Sequence, residues 1–147
     1  MTELIFFSVP RGAYDILRKA LEQADLPTAD IEKPDRMFFG LSDQQGLIGY
    51  VGLEGDGVDR LLRSLVVLPS RRGSGHGSTL VQRLEAILPE EVERLHLLTR
   101  TAVSFFRRLG YVDADRQEAP ASIAATEQFA SLCPASALYL VKSLDKS

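Results

Sequence analysis

A chain of 147 residues, 45% hydrophobic and 25% charged, has the composition of a soluble globular protein with one domain expected over residues 1–147. Its 17 basic and 20 acidic side chains leave a net charge of −3, a poor electrostatic match to a nucleic-acid backbone, so no nucleic-acid partner is expected, though a local basic site for a small anion stays open. One cysteine, Cys133, and two histidines, His76 and His96, exclude an internal disulfide and a Cys/His metal site, so no metal is expected.

Residues 3–8 read as a first strand, broken by Pro10, Arg11 and Gly12. Ala13, Ile16, Leu17, Ala20, Leu21 and Ala24 then recur at helical spacing, and Pro27 lies just beyond. Residues 26–36 are turn-rich, with room for a short second helix. Met37 to Leu41, Leu47 to Glu54 and residues 59–68 are strand-like. Asp43-Gln44-Gln45-Gly46 and Gly55-Asp56-Gly57 separate them as turns, which predicts an antiparallel meander. After Pro69 the period changes. Leu80, Val81, Leu84, Ile87 and Leu88 make the apolar stripe of a helix over about 75–88. Arg94 to Thr99 reads as a strand. Ala102, Phe105, Phe106 and Leu109 mark a short helix that Gly110 stops. Residues 111–114 fit a short strand, Ala121 to Leu132 a helix, and Ala137 to Lys142 a last strand. The sum is an α/β (α+β) fold: an antiparallel N-terminal meander, then a right-handed parallel crossover around a central helix. No apolar run reaches the ~20 residues that span a bilayer, and no basic-then-apolar leader opens the chain, so a cytoplasmic protein without a membrane partner is expected.

The chemistry concentrates in Val67-Leu68-Pro69-Ser70-Arg71-Arg72-Gly73-Ser74-Gly75-His76-Gly77-Ser78, which joins a strand to a helix N-terminus. Glycine admits positive φ and close backbone approach. The first amides of a helix lack intrahelical partners and sit at the positive end of its dipole, where they receive phosphate. Arg71 and Arg72 add charge and donors. A P-loop is excluded because no lysine lies between Lys33 and Lys142. A dinucleotide fingerprint is excluded because Ser78 stands where it needs glycine. A flexible Gly-rich turn with no ligand is the bland alternative. The strand before, the helix after and the arginines favour a pyrophosphate-bearing ligand.

Arg72-Gly73-Ser74-Gly75-His76-Gly77 resembles the Arg/Gln-x-x-Gly-x-Gly/Ala motif of the GNAT acetyltransferases, with Val67-Leu68-Pro69 as its usual lead-in, and the order of elements is similar over residues 3–142. The resemblance implies acetyl-CoA as the acyl donor. Arg72, Gly73, Ser74, Gly75, His76, Gly77 and Ser78 would hold the phosphates. Leu65, Val66 and Val67 would offer backbone groups to the pantetheine, and an N–H near Leu65 or Val66 would polarise the thioester carbonyl. Ala102 to Tyr111 is similar to the family's Ala-x-x-Phe-Tyr-x-x-x-Gly-Phe helix, except that Phe106 stands where tyrosine often protonates the departing thiolate. A phenyl ring donates no proton, so water or Ser104 would have to serve. Phe105 reads as core, and Phe106 as core or as a wall of the coenzyme channel. A narrower resemblance, over Ala121 to Ala137 and Leu95 to Gly110, is to GNAT proteins of arsenic-resistance gene clusters. It implies detoxification of an amine-bearing toxic compound. Cys133 alone offers too few thiolates to hold arsenic stably.

Transfer needs a neutral amine, so a general base is expected. Glu54 and Asp59 are the carboxylate candidates at the strand ends, each competing with a solvated hairpin end. Arg63 and Ser64 lie near the expected thioester, and Arg63 suits a substrate carboxylate. His76 belongs to the loop, and His96, mid-strand in an apolar run, reads as a satisfied core histidine. The partner implied is a small-molecule amine; a homodimer is implied by the resemblance alone. The competing readings are a non-catalytic CoA-binding sensor, suggested by Phe106, and an interaction domain whose glycine loop is structural.

Overall fold

The computed structural model describes residues 3–132 and 136–144. Cys133 lies outside them. The strands are β1 (Ile5–Ser8), β2 (Arg36–Asp43), β3 (Gly46–Glu54), β4 (Asp59–Val67), β5 (Arg94–Thr99), β6 (Val112–Asp113) and β7 (Leu138–Ser143). The helices are α1 (Tyr14–Gln23), α2 (His76–Ile87), α3 (Val103–Arg108) and α4 (Ala121–Ala124). The ladders run in the order β1-β2-β3-β4-β5-β7-β6. β1 pairs antiparallel with β2. β4 and β5 are parallel, as a strand–helix–strand passage through α2 requires. β7 is antiparallel to both β5 and β6. The expected mixed sheet, meander first and crossover second, is the fold observed.

The chain forms two compact units, residues 1–53 with 64–88, and residues 54–63 with 89–147. The first unit is centred on Val9, Tyr14, Leu17, Leu21, Ile31, Phe38, Tyr50 and Val66, all buried. On α1, Tyr14, Leu17, Ala20 and Leu21 face inward, spaced three or four apart. Ile16, expected in that stripe, is 61% exposed, because Tyr14 fills the inward position two residues earlier. α1 ends where Asp25 turns left-handed (φ 60°) and Leu26 N–H returns to the Leu21 carbonyl at 2.9 Å. The short second helix expected within residues 26–36 does not form. That segment is a series of turns, fastened where Arg36 donates to the buried Asp30 carboxylate at 3.0 and 3.3 Å.

In the second unit Leu95 and Leu97 of β5 and Leu140 of β7 are buried. Phe106 is buried too, its ring edge-on to Phe105 and to Tyr111. Gly110 (φ 97°) ends α3 as expected. The single helix expected over 121–132 is instead the four-residue α4 followed by a π-type segment, Gln128–Leu132. Thr126 marks the break: its hydroxyl donates to the Ile123 carbonyl at 2.7 Å and accepts from Phe129 N–H at 3.4 Å. Such local side-chain bonds compete with the helical ladder.

Candidate active site

β4 delivers the chain to the glycine loop, and its backbone is not a regular strand. Ser64, buried at 8% exposure, has φ 57°. A left-handed serine inside a strand costs about 1–3 kcal/mol and persists only where surrounding packing enforces it. It stands immediately before Leu65, Val66 and Val67. Leu65 and Val67 are half-buried and Val66 is buried. Sequence reasoning placed the thioester near these residues but had no signal for the kink.

Gly49 of β3 fixes how closely β3 approaches this stretch. A Cβ there would lie 2.2 Å from the Val66 carbonyl oxygen and 3.0 Å from Val67 Cα. Leu68 N–H closes the corner by donating to the Ile48 carbonyl at 2.8 Å.

Beyond Val67 the loop turns through Gly73 (φ 90°) and Gly75 (φ 76°), and nothing packs within 4 Å of where their Cβ atoms would be. Gly75 is the N-cap of α2, and no side chain caps that end. The amides of the first turn therefore face outward at the positive pole of a 12-residue helix. The two arginines, alike in sequence, part company. Arg72 is exposed and uses only Nε, which donates to the Val67 carbonyl at 3.1 Å. Arg71 turns to the β2–β3 hairpin, where it pairs with Asp43 and donates to the Gly46 and Leu47 carbonyls at 3.4 and 3.3 Å. A cavity of about 460 Å³ opens here, lined by Asp43, Gln45, Arg71, Arg72, Ser74 and His76 among others.

The second unit holds the remaining candidates. Glu54 and Asp59 are both buried, at 4% and 8% exposure, so neither is a solvated hairpin end. Arg63 Nη1 donates to Glu54 Oε1 at 2.8 Å, with the Arg63 side chain wholly buried. Ser104 is exposed on α3, and Phe106 is 4% exposed.

Asp59 anchors a second buried network. Arg94 donates to both its oxygens, at 2.7 and 3.1 Å. His96 Nε2 lies 2.7 Å from Asp59 Oδ1, and His96 Nδ1 lies 2.7 Å from the Tyr139 hydroxyl. The Arg94 bond, helped by His96 against the opposing effect of burial, holds the Asp59 carboxyl below its usual range. An ionised Asp59 only accepts, so Nε2 carries the imidazole proton and Nδ1 accepts from Tyr139. Burial pushes the His96 imidazole down from 6.5 although Asp59 favours its charged form, and burial pushes the Tyr139 phenol up to about 12.

Both shifts predict a pH profile of stability. In the unfolded chain His96 protonates near its ordinary 6.5, before the folded form does, so its contribution is complete above 6.5 and drains as pH falls below it. The unfolded Tyr139 ionises near 10 and the folded one near 12, so its contribution is complete below 10 and drains between 10 and about 12. Urea unfolding across pH 5–12 measures both limbs. Tyr139→Phe is expected to lose the alkaline limb and about 1–3 kcal/mol at neutral pH, as a buried acceptor on His96 loses its donor.

Among the described residues no helix is long and apolar enough to cross a membrane, and no group of three or more His, Cys, Asp or Glu side chains is disposed to hold a metal ion.

A kinked strand, a glycine loop and an uncapped helix N-terminus follow one another along the chain, within a mixed sheet that is antiparallel at its start and parallel between β4 and β5. Residues 34–113 match the family model described as the acetyltransferase (GNAT) domain, and the chain belongs to that family. Over 63 residues it is 40% identical to CT2212 of Chlorobaculum tepidum, named an uncharacterized N-acetyltransferase; the match spans 42% of this chain and 40% of that protein. Among solved structures it is similar to a GNAT-family acetyltransferase of Staphylococcus aureus Mu50 (TM-score 0.76, 15% identity, 97% of this chain and all of that one). It is also similar to N-acetylglutamate synthase of Neisseria gonorrhoeae complexed with coenzyme A and N-acetyl-glutamate (TM-score 0.77, 17% identity). That match takes in 98% of this chain and 36% of the synthase.

Proposed function

We propose that the chain is an acetyl-CoA-dependent N-acetyltransferase that moves the acetyl group to the amine of a small molecule by direct transfer in a ternary complex. The observation that carries this is the uncapped start of α2, reached through two left-handed glycines and flanked by the exposed Arg72. Residues Arg72 through Ser78 hold the pyrophosphate, and the β4 backbone at Leu65, Val66 and Val67 pairs with the pantetheine. The kink at Ser64 supports a role for the next amides as donors to the thioester carbonyl, where negative charge develops as the neutral amine attacks. The C–S bond then breaks and the thiolate leaves, its thiol pKa near 8.5 on the cysteine reference. Its proton comes from water or from Ser104, since Phe106 offers none.

Family membership and the amine-linked chemistry named for similar structures support the reading. The narrower resemblance of Leu95 to Gly110 and Ala121 to Ala137 supports a toxic amine, including an amine-bearing arsenical, as acceptor. A non-catalytic coenzyme sensor is favoured only by Phe106, and thiol release with any amine in a broad panel removes it.

Calorimetric titration with acetyl-CoA tests the proposal. We expect a single binding event in the wild type. Gly75→Val should weaken it at least a hundredfold with the fold retained, because a β-branched residue at φ 76° reshapes the loop. No heat with the wild type up to millimolar acetyl-CoA overturns the reading.

A further inference from the structure

We propose that Asp43 and Arg71 form a clip that positions the glycine loop for coenzyme A, leaving Arg72 as the guanidinium that meets the phosphates. This rests on the binding reading above and adds to it a residue, Asp43, that lies nearly thirty positions before the loop and outside its motif.

Among the described residues, every side-chain bond of Arg71 goes to one hairpin. Its acceptors are the Asp43 carboxylate and the Gly46 and Leu47 carbonyls. The Arg71 side chain is 13% exposed and that of Asp43 7%. Asp43 is itself held, because its Oδ1 accepts from Gln45 N–H at 2.9 Å across the turn. Burial alone raises the Asp43 carboxyl, but the Gln45 amide and the Arg71 guanidinium outweigh it and keep it below the usual carboxylate range. The clip therefore stays closed through the physiological range.

The consequence for binding is entropic. Gly73 and Gly75 have open space around them and no packing of their own. Glycines lose more freedom on ordering than other residues. Whatever fixes the loop before the ligand arrives removes that cost from the binding step. The clip ties the loop's first residues to β2 and β3, as the Leu68–Ile48 bond ties its entry. Arg72, whose terminal amines have no partner among the described residues, is left pointing at solvent beside α2.

Charge alone predicts the opposite. Asp43 lines the same cavity as Arg72, Ser74 and His76, so its carboxylate repels a phosphate there. Removing it would tighten binding if repulsion were its main effect. The two accounts differ in sign, which makes the experiment decisive.

The test is calorimetric titration of the full chain with coenzyme A, for the wild type, Asp43→Asn, Asp43→Glu, Arg71→Met and the double variant Asp43→Asn/Arg71→Met, with the melting temperature of each recorded. The clip predicts that Asp43→Asn and Arg71→Met each raise Kd by about tenfold, as lost preorganisation does. The double variant should bind no more than about twofold weaker than either single, because both singles break one contact. Asp43→Glu should restore most of the affinity. A Kd for Asp43→Asn equal to or below the wild-type value overturns the clip, and so does a double variant with the multiplied loss of both singles, since Arg71 would then meet the phosphates itself. Wild type that gives no heat with coenzyme A defeats the parent reading and this one with it. Wild-type binding with unaffected variants defeats this one alone.

Discussion

Replacing Gly49 with alanine is expected to cost about 3 kcal/mol and lower the melting temperature by about 10 °C, the upper end for overpacking a core in a chain of this length. The reason is the kind of atom in the way. The new methyl carbon would sit 2.2 Å from the Val66 carbonyl oxygen, 3.0 Å from Val67 Cα and 3.2 Å from Leu80 Cδ1. Two of these are backbone, and a side-chain rotation relieves neither. β4 must move at Val66 and Val67, the residues proposed to pair with the pantetheine, so acetyl-CoA affinity should fall along with stability. Gly40→Ala is the control. Its methyl would meet the Phe7 ring, 2.4 Å from Cζ, and a ring at the end of a side chain can swing away. A loss of about 1 kcal/mol is expected there, with coenzyme binding intact. Thermal unfolding and calorimetry of the two variants separate the cases. Equal losses would mean that β3 yields where the geometry says it cannot.

Gly49 also shows what a sequence conceals. Read alone it is a glycine in a strand, a position that can mean a bulge, a close approach or nothing. Periodicity does find the elements whose pattern is long and local. The switch from strand to helix spacing across Pro69 marks the β4–loop–α2 passage, and the span expected for β5, Arg94 to Thr99, is the one observed. It fails where a long-range partner decides. Ser64 is left-handed in a strand although serine has no intrinsic preference to be so. Arg71 and Arg72 are adjacent and identical, and only the hairpin brought beside one of them tells them apart. Counting by twos cannot say whether Glu54 and Asp59 face water until the register of β4 is known, and both face inward. His96, by contrast, was legible: a lone histidine between leucines needs partners on both nitrogens, and it has them.

The inward position of Glu54 carries the second large expectation. As a general base it would have to reach an amine with a free lone pair, and its loss would slow turnover while leaving the fold alone. The structure instead gives its Oε1 to Arg63 at 2.8 Å, with the two side chains 4% and 0% exposed. We assign Glu54 to holding that guanidinium. Truncating one partner of a buried ion pair removes a charge that offsets the other, so Glu54→Ala should cost about 3 kcal/mol, read from the shift in urea midpoint. Replacing both charges with apolar groups, as in Glu54→Leu/Arg63→Met, should recover part of it, because both buried charges are then gone. Glu54→Gln should fall between, since it keeps an acceptor for Arg63 but not the charge. A Glu54→Ala protein as stable as the wild type, with acetyl transfer slowed, would return Glu54 to the proton-transfer step. The stability loss with rescue in the double variant, with acetyl transfer intact, would leave Glu54 as the partner of Arg63 and the amine proton to water.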